Sequence, residues 1–279
     1  MVSRILGAVV RQILIYGWTA LALVPFVLII LLAFRNNTDL YQYPLGVGGS
    51  YHPENFASAW IGPLGTAGMG VFLANSLIAF AAALVVNLVL GTLGAYFASR
   101  LPKRMRGAYL GLFVIGSVVP FVLLLVPFYR VLNSLQLLNN PWALGALYGV
   151  LALPTTVLIL NSYFVDFPND LVEAAYLDGL GDLAVFLRIV VPLSKGAITA
   201  VSLLLAIWVW SETQLAIVLL QDPSNETAAI GILGFQGQYT SNLGALFAGL
   251  TIVAIPVILL YLIFNRYITK GIALGGVFR

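Results

Sequence analysis

Ten carboxylates, one imidazole and no thiol are all that this sequence offers for acid–base, nucleophilic or metal chemistry. Five of the ten acids, Asp166, Asp170, Glu173, Asp178 and Asp182, fall in one short segment, with Arg188 and Lys195 just beyond them. The single histidine, His52, lies far upstream, and a lone imidazole builds neither a catalytic relay nor a metal site. The lack of cysteine removes disulfides, thiol nucleophiles and thiolate ligands. No Gly-x-x-x-x-Gly-Lys-Ser/Thr phosphate loop occurs, so any nucleotide chemistry belongs to another chain. The acidic segment is therefore suited to non-covalent recognition of a soluble partner rather than to covalent chemistry.

Within that segment Asp170 and Glu173 have the spacing of a capping box at a helix start. Leu171, Ala174, Ala175 and Leu177 supply an apolar face near helical period, and Gly179 and Gly181 permit a sharp turn. Leu183, Phe186, Leu187 and Val190 suit a second short helix, after which Pro192 marks re-entry into the next apolar run. The prediction is a helix–turn–helix finger able to transmit motion rigidly. The adjacent alanines permit close approach by a partner's backbone. Spacing alone serves an inert connector, capped by Glu173, equally well.

The elements that must position this finger are apolar. The chain is 61% hydrophobic and 8% charged, with a mean hydropathy of +1.02. Soluble domains carry about 25% charged residues, so the chain reads as an integral membrane protein. A helix needs about 20 apolar residues to cross the hydrocarbon core. About six spans meet that requirement, at 12–34, 71–98, 107–129, 142–164, 196–220 and 243–265. Continuous apolar runs exclude a barrel, which needs alternating segments of about 10 residues. Pro25, Pro120, Pro154 and Pro256 fall within spans, where neighbouring groups can satisfy the freed carbonyls. The first run is too long for the apolar core of a signal peptide and reads as a retained helix.

Eleven of the thirteen basic residues fall on one side if the spans alternate, leaving only Arg35 and Arg130 on the other. The positive-inside rule then makes both termini and the acidic segment cytoplasmic. Topology accounts for the basic residues, and nucleic acid is not an expected partner. The outer side carries long loops at roughly 36–70 and 221–242. Gly107/Gly111 and Gly145/Gly149 have the small-xxx-small spacing of closely packed membrane helices.

The acidic segment resembles the EAA loop of ABC-importer permeases, Glu-Ala-Ala-x-x-Asp-Gly followed by Phe, Ile and Pro, at Glu173, Ala174, Ala175, Asp178, Gly179, Phe186, Ile189 and Pro192. The likeness extends over nearly the whole chain and is greatest to the smaller permease subunit of the maltose-type carbohydrate branch. It is carried by Asn75-Ser76, Gly94 through Arg100, Pro127-Phe128-Tyr129, Leu137-Leu138-Asn139, Phe164 through Pro168, Trp210-Ser211-Glu212, Pro256, Arg266-Tyr267 and Gly271 through Gly276. Ser211, where the branch usually has Asn, and the ending Val277-Phe278-Arg279 depart from it.

The resemblance implies a single all-α permease domain over 1–279, with a cytoplasmic coupling-helix loop at about 166–195 between spans four and five and a cytoplasmic tail at about 267–279. It implies a prokaryotic inner-membrane location and no catalysis by this chain. ATP and Mg would be bound by two partner ATPase subunits docked on the loop. A second homologous permease, an extracytoplasmic solute-binding protein, a carbohydrate-like solute and membrane lipid complete the expected partners. Candidate pathway residues are Glu212, the one acid inside a predicted span, with Trp208, Trp210 and Tyr239. Glu212 serves equally as a paired residue near the outer interface. Gly271, Gly275 and Gly276 are candidate ATPase contacts in the tail. Rival readings are a permease for a polyamine or phosphate, a secondary transporter, which would show paired intramembrane ionisable residues, and a membrane enzyme.

Overall fold

The computed structural model describes residues 2–62, 67–238 and 242–277, and every regular element among them is helical. In chain order the helices are α1 (Val2–Leu32), α2 (Asn37–Gln42), α3 (Glu54–Ile61), α4 (Met69–Arg100), α5 (Lys103–Val118), α6 (Leu125–Ser134), α7 (Pro141–Leu151), α8 (Leu153–Val165) and α9 (Asn169–Leu177). Then follow α10 (Asp182–Val185), α11 (Val191–Leu193), α12 (Lys195–Ser211), α13 (Gln214–Leu219), α14 (Ala228–Gln238) and α15 (Leu243–Val277). Among the described residues, three helices are long and apolar enough to cross a membrane, at Val10–Leu32, Met69–Arg100 and Leu243–Ile263. Three bent pairs bring the total to as many as six. The expected all-α, multi-span architecture is present.

The interior spans are broken rather than straight. Pro120 fixes the first break: the residue before a proline is pushed out of the α region, and Val119 is extended at φ −71°, ψ 116°. Lys103–Val118 and Phe121–Ser134 consequently meet at 82°. Pro154 removes an N–H from the start of α8, and α7 and α8 meet at 47° about Ala152. Pro25 and Pro256, by contrast, sit inside continuous helices. The predicted fifth span is α12 and α13, interrupted at Glu212 and Thr213. The supposed outer loop at 221–242 contains α14, whose eleven residues are too few to cross the hydrocarbon core.

The chain divides into two compact units, Met1–Gly70 with Gly231–Pro256, and Val71–Ile230 with Val257–Arg279. In the first, the segment after α1 is tied by polar groups. Arg35 donates to the Gly46 carbonyl from Nε (3.1 Å) and Nη2 (2.9 Å), and from Nη1 to that of Ser50 at 2.7 Å. Asn36 caps α2, its Oδ1 accepting from Asp39 N–H at 2.8 Å. The Ser50 hydroxyl and N–H both donate to Asp39 and hold its carboxyl below the usual range. His52 Nδ1 lies 2.6 Å from Glu54 Oε1, and that hydrogen bond lowers the Glu54 carboxyl.

In the second unit α4 is the spine. A Cβ on Gly145 would strike the Ala79 carbonyl, and one on Gly149 would lie 2.8 Å from Ala83 O and from Val86 Cβ. These glycines therefore let α7 pack directly on the backbone of α4. Gly107 and Gly111, with the same spacing, have nothing within 4 Å of such a Cβ. At the α7–α8 break, fully buried Asn87 of α4 donates to the Gly149 carbonyl at 2.9 Å and accepts from the Thr156 hydroxyl at 2.7 Å. Asn87 thus supplies the backbone partner that a kinked membrane helix needs.

Candidate functional site

The acidic finger is built from α9, a turn, and a nearly continuous helical limb from Asp182 to Leu193. That limb contains a π turn at Phe186–Val190 and bends by 77° into α12 at Ser194. Gly179 makes the turn possible, with φ +82°, where a side chain would be strained. The Tyr176 hydroxyl donates to Asp182 Oδ1 at 2.7 Å across the turn, and this bond pushes its phenol up to about 12.

The expected capping box does not form. The helix starts at Asn169, after extended Pro168, with no side-chain cap, so Asp170 and Glu173 lie inside the first turns and face solvent. Asp170 in the first turn still complements the helix dipole. The apolar face is also split. Val172 and Ala175 are buried in one core with Ala95, Tyr96, Phe164, Phe186 and Val190, whereas Leu171, Ala174 and Leu177 point outward. Leu177 is 89% exposed. Of the predicted coupling residues, Glu173, Ala174, Asp178 and Gly179 are thus exposed and Ala175 is buried.

The finger's base is fixed to α4. Tyr96 is buried against Phe186 (ring centroids 5.0 Å apart) and edge-on to Phe164 (6.0 Å). The guanidinium carbon of Arg100 lies over the Tyr96 ring, 4.9 Å from its centroid, and Nη1 donates to Asn169 Oδ1 at 3.2 Å. Asn161 Nδ2 donates to the Ala95 carbonyl at 3.1 Å, joining α8 to the same place.

Farther along the unit, a cleft of about 330 Å³ opens beside the helix breaks, lined by Ser117, Val119, Phe121, Ala152, Thr155, Thr156 and Trp208 among others, with no charged side chain. Trp208 also packs on Tyr148 at 5.4 Å. Glu212 is buried at the α12–α13 break and does not line this cleft. Its Oε1 accepts from Leu215 N–H at 2.9 Å and its Oε2 from Ala216 N–H at 3.3 Å, and Oε2 also accepts from the Tyr148 hydroxyl. The carboxylate therefore caps α13 and joins it to α7. Trp210 is half-buried on α12. Tyr239 lies outside the described residues. Gly271, Gly275 and Gly276 fall on the backbone of α15, and their surroundings lie outside the described residues.

Sequence reasoning gave no site role to Asn87 or to the Tyr96–Arg100 pair, and read Tyr148 only as a packing or interface aromatic. Asn87 carried a signal, as a polar residue amid the apolar run of α4. Nothing local marked Tyr148 as the partner of Glu212, 64 residues away.

Residues 87–274 match the family model described as "Binding-protein-dependent transport system inner membrane component". The chain is 34% identical over 253 residues to the probable ABC transporter permease protein YurM of Bacillus subtilis, covering 91% of this chain and 83% of that one. It is 28% identical over 270 residues to the diacetylchitobiose uptake system permease protein NgcG of Streptomyces coelicolor, covering 96% and 88%. Among solved structures, a bacterial ABC transporter involved in import of the acidic polysaccharide alginate contains a chain of similar fold. The TM-score is 0.78 at 22% identity, over 95% of this chain and 96% of that one.

Proposed function

Because the chain belongs to the family of inner membrane components of binding-protein-dependent transport systems, we propose that it forms half of the translocation pathway of an ATP-driven importer for a carbohydrate-like solute. The observation that carries the coupling part is the outward face of α9. Leu171, Ala174 and Leu177 stand exposed beside Glu173, on a finger too polar to lie in the hydrocarbon core. Burying one leucine contributes about 1.5–3 kcal/mol, so this face favours a protein cover. An ATPase subunit is that cover. ATP and Mg are held by the ATPase pair, whose closure draws the finger with it, and this chain performs no covalent step. Both termini and the finger lie on the cytoplasmic side in this reading, which the distribution of basic residues supports. A second permease, two ATPase subunits and an extracytoplasmic binding protein complete the assembly.

The carbohydrate part rests on what NgcG is named for and on the hydroxyls of Ser117 and Thr155 beside the aromatic faces of Trp208 and Phe121 in an uncharged cleft. An apolar wall with a few hydroxyl partners suits a neutral sugar, whereas a polyamine or phosphate would find no counter-charge there. Trp210 and Tyr239 remain proposed pathway residues, and Glu212 is proposed to act on the pathway through the α12–α13 joint. Gly271, Gly275 and Gly276 are proposed ATPase contacts.

The test is affinity purification of the tagged chain from native membranes, comparing wild type with Glu173→Arg and Leu177→Asp. Wild type brings down an ATPase and a second permease, and both variants lose the ATPase while keeping the permease. A wild-type chain that purifies without an ATPase overturns the reading.

A further inference from the structure

The finger has two faces, and the inward one is held by two residues of α4 that stand one helical turn apart. The i, i+4 spacing of Tyr96 and Arg100 places both on one side of α4. Tyr96 fills the space between the end of α8 and the second limb of the finger through Phe164 and Phe186. Arg100 lies across the same ring and reaches the first residue of α9 through Asn169. Both limbs of the finger are therefore gripped by α4, α9 through Arg100 and the Asp182–Leu193 limb through Tyr96. Higher on α4, Asn87 holds the Gly149 carbonyl and the Thr156 hydroxyl at the α7–α8 break, and Thr156 lines the cleft. One helix thus touches the finger at one end and the wall of the cleft farther along.

We propose that Tyr96 and Arg100 are positioning residues that lock the finger to α4, so that finger and α4 swing as one lever and carry the motion to the α7–α8 break beside the cleft. This rests on the reading of α9 as the coupling element. A guanidinium suits this place because its fixed fork of donors can lie over the ring while one N–H reaches Asn169, a geometry that a single ammonium does not reproduce.

The chain has no cysteine, so two introduced ones are its only labelling sites, and it is labelled before the complex is assembled with unlabelled partners. Exposed Leu183 on the finger and exposed Val89 on α4 are suitable positions. The Leu183–Val89 distance distribution is measured in the purified complex with no nucleotide and after trapping with ATP and vanadate, and again in the chain without ATPase. In an otherwise wild-type background the distributions superimpose in both nucleotide states. Arg100→Ala broadens the distribution and makes it nucleotide-dependent, Asn169→Ala does so less, and Arg100→Lys restores only part of the order. The Arg100→Ala, Asn169→Ala double variant is no worse than Arg100→Ala alone. A wild-type distance that shifts on trapping overturns the lever, as does an Arg100→Ala distribution identical to wild type. The ATPase-free measurement separates the two failures: absence of a co-purifying ATPase defeats the coupling reading, whereas an unchanged Arg100→Ala distribution in the chain alone defeats the lock.

Discussion

Gly145→Ala adds a single methyl group where α7 rests on the backbone of α4. The new carbon would lie 2.8 Å from both the carbonyl carbon and the Cα of Ala79, and nearer still to the carbonyl oxygen. Non-bonded carbons settle at about 3.5–4.0 Å, so α7 must back away by roughly 1 Å. No side chain can relieve the clash by changing rotamer, because the obstructing atoms are backbone. The retreat opens a gap along the seam, past Gly149 against Ala83 and Val86, and a gap of 0.5–1 Å forfeits about a quarter to a half of each dispersion contact. Overpacking of this kind costs about 1–3 kcal/mol. Gly107→Ala is the matched control, since its Cβ meets nothing within 4 Å and alanine favours helix by up to about 1 kcal/mol. The assay is thermal unfolding of the purified chain in detergent, followed by circular dichroism. Gly145→Ala lowers the midpoint and Gly107→Ala leaves it unchanged or raised. Equal loss in both, or no loss in Gly145→Ala, would refute the packing argument.

Tyr148→Phe deletes one hydrogen bond to a buried carboxylate and should destabilise by about 1.5–3 kcal/mol. In a double-mutant cycle with Glu212→Gln, read by the same melts, the two changes are non-additive; strict additivity would dissociate the pair. At Glu226, burial and then the neighbouring Asp222 raise the carboxyl above its ordinary value of 4.5, so the charged form is disfavoured in the fold. Glu226→Gln should therefore melt higher than wild type at pH 7. The gap closes as pH falls through the raised folded value and vanishes below about 4.5, where both states are protonated. A gap that widens on acidification has the wrong sign for this account.

Hydropathy located the apolar runs, of which three stand as unbroken helices long enough to cross the hydrocarbon core, because that crossing is a demand each segment meets by itself. The breaks were only partly legible. Pro120 and Pro154 sit at two of them, yet Pro25 and Pro256 lie inside continuous helices; nothing in Ser211-Glu212-Thr213 forbids a helix, and the joint there is stabilised by Tyr148 from a distant part of the chain. Gly107/Gly111 and Gly145/Gly149 look alike in sequence. Only the second pair meets a neighbouring backbone, since small residues permit close approach and a partner has to accept it. On the finger, near-helical spacing predicted one apolar face of Leu171, Ala174, Ala175 and Leu177, whereas the fold buries Val172 with Ala175 and leaves Leu171, Ala174 and Leu177 to the outside. Periodicity alone does not decide which of two adjacent stripes faces the protein when both are apolar.

The uncharged cleft has an electrical consequence. Each elementary charge carried through the full potential exchanges about 2.3 kcal/mol per 100 mV. The cleft lining places no fixed charge in that field, and Glu212 is held beside Tyr148 at the start of α13. The lining side chains themselves therefore move no gating charge when this wall swings, and a neutral solute crossing beside them adds none.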